Sequence, residues 1–149
     1  MLINARLAEL LSALATIDPV SQGAGTITTG WLSAANHERF LATVQTGVMG
    51  ASGTLDAKLQ QATDGAGTAA KDITGKAIVQ IVKATGDNKQ ALINLRAEEL
   101  DMANNFTYFR LSVTVGVAAS LISAVVQAGV AKNAPASALN QVGVVQNIA

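Results

Sequence analysis

Tyr108-Phe109-Arg110-Leu111-Ser112-Val113-Thr114-Val115-Gly116-Val117 puts Phe109, Leu111, Val113, Val115 and Val117 on one side of an extended chain. Tyr108, Arg110, Ser112 and Thr114 fall on the other side. A period of two is the mark of a strand with one buried face, whereas a helix would scatter the same side chains around its circumference. The stretch therefore predicts a β-strand, and the rest of the chain is read outward from it.

Downstream, Leu111 to Ala131 carries no charge over 21 residues and is bracketed by Arg110 and Lys132. That length meets the requirement for a membrane-spanning helix, the reading a small holin-like membrane protein would need. Ser112, Thr114, Gly116, Ser120, Ser123, Gln127 and Gly129 interrupt the run. Two strands, the second over Leu121 to Val126, explain both the alternation and the missing charge.

Upstream the same period recurs. Phe40, Ala42, Val44 and Val48 alternate with Thr43, Gln45 and Gly47, and Leu55, Ala57 and Leu59 alternate with Asp56, Lys58 and Gln60. Further runs stand at Lys76–Ile81 and Gln90–Arg96, and Thr26–Leu32 completes seven or eight strands. Turn residues separate them at Gly50-Ala51-Ser52-Gly53, Asp64-Gly65-Ala66-Gly67, Gly86-Asp87-Asn88 and Asn104-Asn105. Arg96 to Ala103 has helix-forming chemistry and reads as one or two linking turns. Short strands without helical crossovers predict a mainly β fold, an antiparallel jelly-roll-like β-sandwich.

The ends read differently. Leu7, Leu10, Leu11 and Leu14 sit at i, i+3, i+4 and i+7, one face of a short helix with Asn4 as a possible N-cap, stopped by Asp18-Pro19. With the hinge Ser21-Gln22-Gly23-Ala24-Gly25, residues 1–25 are expected to form an arm, residues 26–131 the body and residues 132–149 an extended C-terminal tail. A helix this short needs a surface to lie on, so the four leucines are the candidate interface, against the protein's own body, an adjacent subunit or a larger partner. Arg6 and Glu9 interrupt the apolar start, so no signal peptide is expected.

Composition bounds the chemistry. The 149 residues hold ten basic and ten acidic side chains, one histidine, no cysteine and only five aromatic residues. Absent cysteine excludes a disulfide framework, a thiol nucleophile and Cys-ligated metal. Scattered basic residues argue against a nucleic-acid face, and the core must be built from Ala, Val, Leu and Ile.

No motif survives its context. Gly65-Ala66-Gly67-Thr68-Ala69-Ala70 fits a dinucleotide fingerprint but leads into a strand instead of a helix, so a hairpin loop is the better reading. Gly75-Lys76 lacks the first glycine and the Ser or Thr of a phosphate loop. His37, in Asn36-His37-Glu38-Arg39, has no partner nucleophile in view and reads as a surface histidine. Glu98, Glu99 and Asp101 read as a solvated linker, and Trp31, Phe40, Phe106, Tyr108 and Phe109 as core and rim packing. Asn105-Phe106-Thr107 matches a glycosylation acceptor, which means nothing without secretion. No catalytic residue, cofactor or metal site is expected, and no small-molecule substrate, nucleic acid or membrane partner.

Several segments together resemble a known family. They are Thr43–Gly47, Leu55–Asp64 continuing through Gly67–Ala77, Asp87–Arg96, Glu99-Leu100-Asp101 and Phe106–Gly116. Over about Thr26 to Val126 they resemble small virion proteins of tailed bacteriophages, the capsid cement or decoration proteins. The resemblance implies a jelly-roll-like body, often a homotrimer, seated on the outer surface of a shell of major capsid protein after synthesis in the host cytoplasm. A head–tail junction component is the alternative role, beside the holin-like membrane protein. Lys132-Asn133-Ala134-Pro135 departs from the aromatic, Arg-containing segment associated with the family before its late proline.

Overall fold

The alternation around Leu111 is strand β9 (Tyr108–Gly116), lying between two partners in the second of two sheets. The structure is a computed structural model describing residues 4–148. Strands β1 (Leu11–Gln22), β10 (Ser120–Ala131), β4 (His37–Thr46) and β8 (Gln90–Arg96) form the first sheet in that order. The second runs β2 (Gly25–Thr28), β9, β5 (Thr54–Ala62) and β6 (Lys71–Ala77), with β3 (Leu32–Ser33) added on β9 and β7 (Ile81–Val82) on β5. Every pairing among them is antiparallel. With β2/β3 and β6/β7 each counted as one broken strand, the sheets read 1-8-3-6 and 2-7-4-5, the strand order of a jelly roll. The fold is thus a mainly β, antiparallel jelly-roll sandwich.

Alternation decides what is buried. Phe109, Leu111, Val113 and Val115 of β9 face Ile122, Ala124, Val126 and Ala128 of β10 and Phe40, Ala42 and Val44 of β4 across the interior. Phe40 and Phe109 meet with ring centroids 4.6 Å apart, inside a core otherwise made of Ala, Val, Leu, Ile and Met49 among the described residues. The uncharged run Leu111–Ala131 is β9, a turn and β10; among the described residues no helix is long and apolar enough to cross a membrane.

Three expectations need correction. The leucine-rich helix lasts one turn, α1 (Leu7–Leu10), and the chain then enters β1. Burying Ser12, Ala15 and Ile17 against the core, with a full ladder to β10, outweighs a helix too short to stand alone. Asp18-Pro19 does not stop a helix. It forms a register shift opposite β10 on an edge strand, where a residue without an N–H is tolerated. Residues 11–22 are therefore part of the sandwich instead of a hinged arm. The strand read at Lys76–Ile81 lies earlier, at Lys71–Ala77, because Gly75, at φ +75°, sits in the bulge that separates the partners of Lys58 and Gln60. Val79 is left exposed.

The C-terminal segment is not freely extended at its start. Pro135 leads a 3-10 turn (Ala136–Leu139), after which Asn140 Oδ1 accepts from Ala13 N at 2.8 Å and Gln141 N donates to Ala13 O at 2.8 Å. Both ends of the chain thus meet at one corner, and the open edge of β1 is capped.

Candidate functional site

That corner holds the four leucines, and the fold separates them. Arg6 N donates to Glu9 Oε2 at 2.9 Å, which closes the single turn of α1 and leaves Leu7 exposed. Leu7 and Leu11 line a shallow pocket of about 270 Å³ with Ala8, Ala13, Gln127 and Val144. Leu10 lines a different, larger groove of about 790 Å³ with Val130, Ala131, Ala134, Pro135 and Ala136. Leu14 is the extra residue of a bulge between Ala13 and Ala15 and packs against the protein's own core. The four do not share a face, because strand geometry with a bulge replaces the 3.6-residue period after Leu10.

Beneath the corner lies a buried clamp that the sequence did not reveal. His37, 1 % exposed, begins β4, and its Nε2 is 2.9 Å from Ser12 Oγ. The Ser12 hydroxyl donates to the carbonyl of Ala136. A hydroxyl has one proton, so with that proton on Ala136 the imidazole Nε2–H must be the donor to Oγ. A serine beside a histidine suggests a nucleophile and its base, but here the histidine donates and both groups are buried away from solvent. The pair fastens β1, β4 and the C-terminal turn together. Burial holds the His37 pKa below its ordinary value of 6.5, so the ring is neutral at pH 7. The expectation of a surface histidine is corrected: Asn36, Glu38 and Arg39 are exposed around it, while its own ring points inward.

Elsewhere, candidate chemistry is already occupied by the protein itself. The Asp64 carboxylate accepts from Ala66 N, Thr68 N and Thr68 Oγ1 at 3.0, 3.0 and 2.6 Å, so the loop amides a phosphate would need are engaged. Those bonds, the Thr68 hydroxyl first, depress the Asp64 pKa. Gly67, at φ +87°, lies so close to Trp31 that a Cβ would stand 2.4 Å from the indole nitrogen. Lys76 pairs with Glu99 at 2.8 Å, Arg96 with Glu98 at 2.9 Å and Lys71 with Asp101 at 2.6 Å, as a charged linker would. Lys76 and Lys71 hold Glu99 and Asp101 below the usual carboxylate range. Among the described residues no group of three or more metal-ligating side chains occurs.

The two outer sheet faces differ in kind. The second sheet's face carries a polar ladder: Arg110 lies 4.4 Å over Trp31 and donates to Gln60 at 2.9 Å, Gln60 donates to Asp72 at 2.9 Å, and Asp72 pairs with Lys58 at 2.8 Å. The Lys58 and Gln60 bonds depress the Asp72 pKa. The first sheet's face is built from the residues that alternate with the core set: Ala13, Gln127, Leu41 and Asn94 in one row, Thr16, Val125, Thr43 and Leu92 in the next, then Ser123, Gln45 and Gln90. Those residues carry no charge; Asp18 lies in the β1 register shift opposite Ser123, and the adjoining row of Leu11, Gly129, Arg39 and Arg96 carries two cations. The face runs directly into the pocket of Leu7 and Leu11 through Ala13 and Gln127.

No family model matches the chain, and no curated protein does. Solved structures similar to it include the cowpea mosaic virus top component, naturally occurring empty particles, at 9 % identity over 84 % of this chain and 87 % of that one (TM-score 0.45). Others are the SPBc2 prophage-derived protein YomS, at 3 % over 79 % and 93 % (0.44), and a non-crystalline cellulose-specific carbohydrate-binding module, at 11 % over 79 % and 73 % (0.44). Likenesses this distant carry no argument about function.

Proposed function

We propose that this chain is a structural protein of a virus particle, a cement or decoration protein. In this reading it binds the outer surface of a tailed-phage head as a homotrimer and braces contacts between major capsid protein subunits. The observation that carries the reading is the uncharged patch of three rows on the outer face of the first sheet, bordered by Arg39 and Arg96 in the next row, set against the ion-paired face of the second. A brace needs rigid contact area and no chemistry, and a flat face of Ala, Thr, Val, Leu, Asn and Gln supplies that without desolvating a charge. Leu7 and Leu11 extend the docking surface at its corner, Leu10 lines the separate groove, and Leu14 serves the chain's own core. The sequence resemblance over Thr26 to Val126 supports the same role, which involves no catalysis, cofactor or nucleic acid.

The test is co-sedimentation with empty capsid shells, scored beside light scattering of the chain alone. The intact protein should pellet with shells. Leu92→Lys combined with Ser123→Lys places two charges on the uncharged patch at positions that are not cross-strand partners; this variant should keep its melting curve and stay in the supernatant. An intact chain that ignores shells overturns the reading, and retained binding of the double variant overturns the assignment of the face. Deleting residues 1–25 is not a fair test of the leucines, since it removes β1 from the sheet.

A further inference from the structure

We infer that the C-terminal segment of one copy, Val142 to Ile148, docks in the apolar groove beside α1 of a second copy. The inference rests on the self-association part of the reading above and not on shell binding. Val142, Val145 and Ile148 are 102 %, 89 % and 87 % exposed, so these three aliphatic side chains make almost no contact within their own chain. The segment Val142-Gly143-Val144-Val145-Gln146-Asn147-Ile148 carries no charge and no proline. Free in water, such a segment would collapse or remain mobile; here it is anchored at its root by the two bonds of Asn140 and Gln141 to Ala13, with Val144 turned into the pocket of Leu7 and Leu11. The anchoring leaves a ridge of Val142, Val145 and Ile148 facing outward.

The matching concavity is on the same chain. The groove of about 790 Å³ is lined by Ala5, Leu10, Val130, Ala131, Ala134, Pro135 and Ala136, with Glu9 its only charged residue. The segment does not fill its own groove: it is rooted beside the Leu7–Leu11 pocket, which shares no lining residue with the groove around Leu10. Exposed aliphatic side chains and an apolar groove that one chain carries without joining satisfy each other between two copies.

Val130 adds an independent sign. Its backbone is left-handed, at φ +53°, a costly conformation for a β-branched residue. Its side chain is 58 % exposed and lines the groove. Asparagine or glycine would adopt this backbone near the end of β10 more easily, while the isopropyl group of valine adds to the apolar lining that a second copy would meet.

The experiment is the solution mass by light scattering across a concentration series, for four proteins: the intact chain, a chain ending at Gln141, the full-length Val145→Asp/Ile148→Asp variant, and Val130→Asn. The intact chain should form a dimer or trimer. The double aspartate variant should be a monomer with an unchanged melting curve, since it alters only exposed side chains; the shortened chain, which also removes Val144 from the Leu7–Leu11 pocket, should be a monomer that melts at a somewhat lower temperature. Val130→Asn should melt at a higher temperature yet dissociate at tenfold or more higher concentration. An intact chain that is monomeric throughout overturns the inference together with self-association. An oligomer that survives both C-terminal variants overturns the inference alone.

Discussion

The single proton of the Ser12 hydroxyl, held by Ala136, turns His37 into a donor and makes it a structural tie between β4 and both chain ends. His37→Ala removes the ring and leaves a cavity under the corner, which should cost about 2–4 kcal/mol in chemical denaturation. Stability should also depend on pH through this residue. Its pKa is depressed in the fold, so the unfolded chain takes up a proton near pH 6.5 while the folded chain does not. The stabilisation is therefore complete above pH 6.5 and falls as the pH drops below it. Titrating denaturation midpoints from pH 8 to 5 should show that decline in the wild type and not in His37→Gln. The carboxylates of Asp64, Asp72, Asp87, Glu99 and Asp101, all depressed by hydrogen bonds, add a separate loss below about pH 4. Val117 is the second residue-scale case: at φ +68° and 70 % exposed, it is strained and packs on little. Val117→Asn should raise stability by about 1 kcal/mol, read as a higher melting temperature. Neither residue could be judged from the sequence. The polar neighbours of His37 describe a surface, and its partner Ser12 lies 25 positions away. A valine after a strand looks like a continuation of it.

At the level of the element, β9, β8 and the linking turns at Ala97–Asn104 follow from the sequence because their local pattern and their tertiary setting agree. β1 does not, because four leucines at helical spacing meet a neighbour, β10, that offers a ladder from Leu11 to Gln22, interrupted only at Leu14 and at Asp18-Pro19. Local propensity yields there to pairing, as it does at β6, where the bulge around Gly75 shifts the strand away from its best alternating run. The turn before β5 offers a sharper test. A Cβ on Gly50 would lie 2.4 Å from the Ala119 carbonyl oxygen and 2.7 Å from the Ala118 Cβ, both fixed in the link from β9 to β10. Gly50→Ala must push two connections apart and should destabilise the fold by about 2–4 kcal/mol, measured by urea unfolding. Gly30, with open space around it, should accept alanine with little change under the same measurement.

Across the whole molecule, the number and character of the strands were readable, while their order was not. Alternation tells each strand which face is buried, but the 1-8-3-6 and 2-7-4-5 arrangement depends on pairings between distant segments that no local pattern encodes. The same holds for the candidate site. The leucines were visible as an apolar group, yet their division between a pocket, a groove and the core follows only from where β1 lies. The uncharged outer face was invisible for the opposite reason, being assembled from alternate residues of four strands scattered along the chain. The pairing of β1 with β10 alone also has a temporal side. On the ribosome the first strand emerges roughly a hundred residues before its partner β10, and β4 likewise waits on one flank, so the first sheet closes only once β10 has emerged. Nascent chains stalled before β10 should therefore expose β1 to chaperones and proteases, and a premature stop anywhere upstream of Ser120 leaves the first sheet without the strand that joins β1 to β4.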